Sequence, residues 1–208
     1  MAGVAVTTNK HEAQRRKTRE TVLDAAIVEF KRNGTAAADI NAVVKAAGVS
    51  RGTFYFHFPT KEHVLLELVR REEASVAHAL AEFLDTPHDL PAVFHEIVRL
   101  VVDLEARWNG ALFRDVIGLY FSPTRPEGDE WTDHPTIVLL AAEILRARNQ
   151  GDIHTEVDAF HSAVFFLLGL YALLTTTRDT TPGRKSVLTK YVASTLRSIR
   201  PDATVASV

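Results

Sequence analysis

Ser50, Arg51, Thr53, Tyr55, His57 and Lys61 stand within one twelve-residue run and bring to it three hydroxyls, a guanidinium, an imidazole and an ammonium group. That set is rich in hydrogen-bond donors and poor in acceptors with negative charge, which suits a polyanion. Arg51 can donate two parallel hydrogen bonds to a guanine edge or clamp a phosphate, and the sequence leaves both open. Ser50 and Thr53 offer short donors and acceptors beside it. Tyr55 and His57 combine rings that pack with polar tips that reach phosphates. Phe54 and Phe58, in the same run, read as core. Lys61 opens a helix, where its charge opposes the helix dipole while the free amides favour an anion. A DNA phosphate would reconcile the two, and plain solubility is the other reading.

Such groups are useful only if something rigid presents them. Asp39 can cap a short helix through Ile40, Val43, Val44 and Ala47, and Gly48 supplies the backbone freedom for a turn in which Val49 is buried. Ser50 can cap the next helix, Arg51 to about Phe56, which Pro59 ends. Helix, four-residue turn and second helix make a helix-turn-helix, whose second helix fits a DNA major groove about 12 Å wide. Upstream, Val22, Ala25, Ala26 and Phe30 recur at helical spacing from Arg15 to Arg32, and Asn33-Gly34 stops that helix.

The charge follows the same division. Residues 1–61 carry ten Lys/Arg against five Asp/Glu, and residues 62–208 carry fourteen against twenty-one, although the whole chain has a net charge of only −2. A basic head and an acidic body are expected, with a DNA-binding domain over 1–60 and a larger helical domain over 61–208.

The body is helical in pattern. Thr60 caps a helix running toward Leu84, Pro91 precedes a stripe from Val93 to Leu104, and Asn109-Gly110 interrupts the helical run before Leu112 to Tyr120. The Pro-, Gly- and acid-rich stretch from Ser122 to Pro135 is a long loop. Helices follow over Thr136–Asn149, Thr155–Thr177 and Arg184–Ile199. The Thr155–Thr177 helix is apolar around most of its circumference and must be covered all round, either within one protomer or by a second. A homodimer joined through Ala163, Phe166 and Leu170 of this helix and Leu188, Val192 and Ile199 of the last one is expected. Its twelve continuous apolar residues, AVFFLLGLYALL, fall short of a bilayer span, so no membrane partner and a cytoplasmic location are expected. The N-terminus lacks the pattern of a secretory signal.

The chain has 208 residues, 46% apolar and 24% charged, and no cysteine. That composition allows a sizeable core and excludes disulfides, thiolate nucleophiles and cysteine-ligated zinc. It contains no HExxH, phosphate loop or nucleophile elbow, so no catalytic residue, metal or cofactor is expected. His154, Asp158 and His161 could share one helix face and meet a metal, but their ordinary reading is a solvated helix edge.

The run AAGVSRGTFYFHFPTKEHVL, preceded by AAIVEFKRNGT, resembles the DNA-binding region of the tetracycline-repressor (TetR) family of bacterial transcriptional regulators. Phe30, Gly34, Ala47 to Ser50, Tyr55, His57, Phe58 and Lys61 carry the likeness. Thr35 stands where the family often has an aromatic, and Ala38 and Asp39 stand where it commonly has threonines. The resemblance implies an all-α homodimer joined through its last two helices, binding double-stranded operator DNA with its heads, and an effector pocket in each body. A small apolar or aromatic effector suits the candidates Phe94, Trp108, Phe113, Tyr120, Phe121, His161 and Phe165. Most members of the family are repressors, and a constitutive DNA binder without a sensor is the alternative.

Overall fold

The computed structural model describes residues 3–123, 125–126, 132, 134–177 and 182–200. Among them lie nine helices and no strand: α1 (Gly3–Ala37), α2 (Ile40–Ala47), α3 (Arg51–His57), α4 (Lys61–Leu84), α5 (Leu90–Trp108), α6 (Gly110–Tyr120), α7 (Pro135–Gln150), α8 (Ala159–Thr176) and α9 (Arg184–Ile199). The chain is all-α over the described residues, with an N-terminal helix-turn-helix followed by a larger set of helices. Much of the long loop, with Trp131, lies outside the described residues.

Local chemistry explains the boundaries. Gly34, at φ 75° and ψ 158°, leaves helical geometry inside α1, a conformation that a side chain would strain. Asp39 accepts a hydrogen bond from the Asn41 amide to cap α2, and left-handed Gly48 closes it. Ser50 accepts from the Thr53 amide to cap α3. Asp89 caps α5 with Pro91 in its first turn, and Asp158 caps α8 through the His161 amide. Capping by Asp158 shortens α8 relative to the predicted Thr155–Thr177, because residues 155–158 form its approach.

The chain divides into two compact units. The first contains residues 1–69 and 111–126. Its buried side chains include Val22, Ala26, Phe30, Val43, Phe54, Phe58, Val64 and Leu68, with Leu112, Phe113 and Val116 of α6. The second contains residues 70–110 and 127–208, where α5 packs on α7 and α9, and α8 packs on both α7 and α9. Its core includes Phe94, Ile97, Leu140, Ile144, Phe166 and Leu170. Helix α8, at 18 residues, is the one described helix long and apolar enough to cross a membrane by length and composition. The expectation of too short a segment counted only unbroken apolar residues, whereas His161, Ser162 and the threonines extend the uncharged helix. One face of α8 is buried within the unit, at Ala163, Phe166, Leu167, Leu170 and Leu174.

Candidate nucleic-acid interface

Helix α3 divides its side chains sharply. Phe54, His57 and Phe58 turn inward, while Ser50, Arg51, Tyr55 and Phe56 are exposed and Thr53 is half-buried. Phe54 meets Tyr55 edge-on at 5.2 Å and lies 6.2 Å from Phe58, so the two buried rings anchor the helix from below. The Ser50 hydroxyl lies 2.9 Å from that of Thr53, which holds both at the leading end of α3. The Arg51 guanidinium contacts Asn41 Oδ1 at 3.4 Å and lies 5.9 Å from the Tyr55 ring centre, an arrangement that keeps it on the exposed side.

Two of the six predicted residues, His57 and Lys61, are engaged within the head. His57 is only 8% exposed and packs edge-on against Phe56 at 5.2 Å. Burial, and then the nearby charges of Arg19 and Arg15, hold its imidazole below the ordinary value of 6.5. Its ring is part of the core of the head. The Lys61 ammonium donates to the carbonyls of Thr35, Ala36 and Ala38 at 3.0, 3.2 and 2.8 Å. Phe56, which the sequence reading left unassigned, is 63% exposed.

Three supporting residues went unread in the sequence. Arg19 donates to the His57 carbonyl at 2.7 Å and to Glu67 at 2.9 Å, with its guanidinium 4.4 Å from the Phe58 ring centre. It thereby joins α1, α3 and α4. Glu29 accepts from Asn33 and from the Asp39 amide, at 2.7 and 3.0 Å. The Asp39 amide, followed by Asn33, holds the Glu29 carboxyl below the usual carboxylate range. Asp115 accepts from the Thr35 amide at 2.8 Å. Only Glu29 left a signal, as a carboxylate set among the buried positions of an amphipathic helix.

The remaining predicted residues sit as follows. Phe94 and Trp108 are buried in the second unit, Phe94 edge-on to Phe166 at 4.5 Å. Phe113 is buried in the first unit, and Tyr120 lies under the Arg125 guanidinium at 4.8 Å. Phe121 is 75% and Phe165 66% exposed, and His161 is exposed beside Phe165 with ring centres 6.0 Å apart. The second unit holds a groove of ≈ 560 Å³ between α5 and α9, and none of the seven effector candidates lines it. Ala163, Phe166, Leu170, Leu188, Val192 and Ile199 are all buried within one protomer, and Leu188 and Val192 line the groove. The periodicity located an apolar helix but not which of its faces the protomer covers for itself. The face left open carries Phe165, Leu168 and Ala172 of α8 and Val187 of α9, exposed or half-buried. His161 pairs with Asp158 at 3.2 Å, with the Asp158 carboxylate already capping α8.

Residues 22–68, spanning the end of the first helix through α4's opening turns, match the model for bacterial regulatory proteins of the tetR family. This segment is a tetR-family DNA-binding region. The HTH-type transcriptional regulator AcrR of Shigella flexneri is 33% identical over 95 residues, which cover 45% of this chain and 43% of AcrR. The repressor AcnR of Corynebacterium glutamicum is 24% identical over 174 residues, 82% of this chain and 88% of AcnR. Among solved structures, the Thermus thermophilus repressor FadR, in complex with lauroyl-CoA, aligns with TM-score 0.65 and 22% identity over 91% of this chain and all of FadR. No cluster of three metal-ligating side chains occurs among the described residues.

Proposed function

We propose that this chain is a homodimeric repressor that reads a near-palindromic operator with α3 and leaves it when a small apolar or aromatic effector binds. The exposed edge of α3, with Ser50, Arg51, Thr53 and Tyr55 on a short helix fixed by Phe54 and Phe58, carries the reading. Arg51 and Thr53 face the bases, and Tyr55 serves the backbone. The open face of α8 and α9 around Phe165 and Val187 supports the dimer. Two-fold symmetry then demands half-sites spaced by about 34–36 Å or a multiple. Among the relatives, one repressor is held with an acyl-CoA, which supports an apolar effector. Selection of bound fragments from genomic DNA, followed by anisotropy titration of the recovered duplex, tests the reading. One palindromic sequence bound by two protomers supports it, and equal affinity for all duplexes contradicts it.

A constitutive DNA binder is favoured by one observation. Phe121, His161 and Phe165, three of the seven effector candidates, lie at the surface of the single protomer. Native mass spectrometry of the purified protein with fatty acyl and aromatic ligands separates the two, since a sensor retains a stoichiometric ligand and loses operator affinity with it.

A further inference from the structure

The core-facing stripe of α1 changes character along its length. Val22, Leu23, Ala26, Ile27 and Phe30 are buried at helical spacing. Continued toward the N-terminus at the same spacing, the stripe reads Arg19, Arg16 and Arg15, so cations replace apolar side chains on the face that elsewhere meets a protein neighbour. Residues 10–19 hold five Lys/Arg against one carboxylate, Glu12. Arg19 is used inside the head, donating to the His57 carbonyl and to Glu67. Arg15 is not: its guanidinium lies 4.7 Å from the centre of the exposed Phe56 ring, and it has no ion pair among the described residues. Arg16 has only an exposed contact with Glu20 at 4.0 Å, which holds it weakly. A guanidinium held over a ring keeps its N–H donors for another partner.

We infer that Arg15 and Arg16 form a second DNA contact, gripping phosphates beside the groove that α3 enters, with Phe56 as the support that holds Arg15 in place. This contact rests on the operator reading proposed above and extends it from α3 to α1. Helix α3 has seven residues and is only about 10 Å long. A recognition helix meets base edges with its N-terminal residues, here Ser50, Arg51 and Thr53, so its trailing end lies toward the groove wall, where the phosphates are. Phe56 is at that trailing end, and Arg15 stands over it. The polyanion supplies the counter-charge that the protein does not. Phosphate contacts fix position and carry no sequence information, so Arg15 and Arg16 supply affinity and salt dependence while Arg51 and Thr53 supply the choice of sequence.

The test compares the full wild-type chain with Arg15→Gln, Arg15→Gln/Arg16→Gln and Lys17→Gln, each titrated against the selected operator and a random duplex of equal length from about 50 to 200 mM salt. Lys17 is exposed and points away from the stripe, so its loss removes the same charge from the wrong face. Arg15→Gln should lower the slope of log affinity against log salt by about 0.9 and the double variant by about 1.8, with the ratio of operator to random affinity unchanged. Lys17→Gln should bind as the wild type does. Phe56→Ala should weaken binding in the wild-type chain and add nothing in Arg15→Gln, because the ring acts through the arginine.

An unchanged slope in Arg15→Gln, with sequence preference intact, would overturn the phosphate contact and leave the operator reading standing. An equal fall in Lys17→Gln would also overturn it, since that marks a general effect of net charge. Losses that add between Phe56→Ala and Arg15→Gln would give the ring a DNA contact of its own and end its role as a support. A wild-type chain that prefers no DNA sequence would refute the operator reading instead, and the slopes on the random duplex would then judge the phosphate contact alone.

Discussion

His57 is held neutral by burial and by the guanidinium groups of Arg19 and Arg15, and this makes the head sensitive to mild acid. Its folded value lies below 6.5, so between that lowered value and 6.5 the unfolded chain binds a proton that the folded chain refuses. The stabilisation from His57 is therefore complete above about pH 6.5 and is lost as pH falls through the window beneath it. Urea unfolding from pH 7.5 to 5 should show that decline, and His57→Gln should flatten it. Arg51→Ala should cost roughly 1–3 kcal/mol of operator binding and relax the base preference at one position, measured by titration against single-base operator variants. The chemistry of the reading run was legible because hydroxyls, guanidinium and aromatics are crowded at helical spacing. The direction of His57 and Lys61 was not, since residue type states what a group can bond but not which acceptor the fold brings to it.

In the proposed dimer, helix α8 would separate association from folding along one stretch of chain. Leu170 is fully buried, so Leu170→Ala should destabilise the protomer by about 2–5 kcal/mol in thermal or urea unfolding. Phe165, on the open face, predicts the opposite result: Phe165→Glu should convert the dimer to a folded monomer in sedimentation velocity with far-UV circular dichroism retained. Gly169 allows α9 to approach. A Cβ there would stand 2.8 Å from the Tyr191 ring carbon Cζ, and Tyr191 donates to the Phe166 carbonyl at 2.7 Å while stacking on Phe166. Gly169→Ala should therefore cost about 1–3 kcal/mol through displacement of Tyr191, seen as a lowered unfolding midpoint. Elements were readable from caps and breakers: Asp39, Ser50, Gly48 and Gly34 each act where their chemistry predicts. The face of α8 that meets its own protomer was hidden, because a helix apolar all round has no periodicity to separate inner from outer.

At the scale of the molecule, the basic balance of residues 1–61 and the acidic balance of 62–208 support the proposed division, with nucleic acid met by the head. The division by contacts differs from a cut at residue 60, because α6, with Asp115, is grouped with the head although it lies fifty residues beyond it in sequence. No local pattern marks that grouping, which depends on long-range packing. The most direct test of operator reading by a dimer through α3 is the affinity and stoichiometry of the selected operator, measured by anisotropy for wild type and Arg51→Ala from 50 to 200 mM salt. Two protomers per palindrome, a wild-type affinity that falls roughly 10³–10⁵-fold over that range, and a weaker, less selective Arg51→Ala are predicted. Equal binding of wild type and Arg51→Ala to operator and random duplex alike would contradict the account.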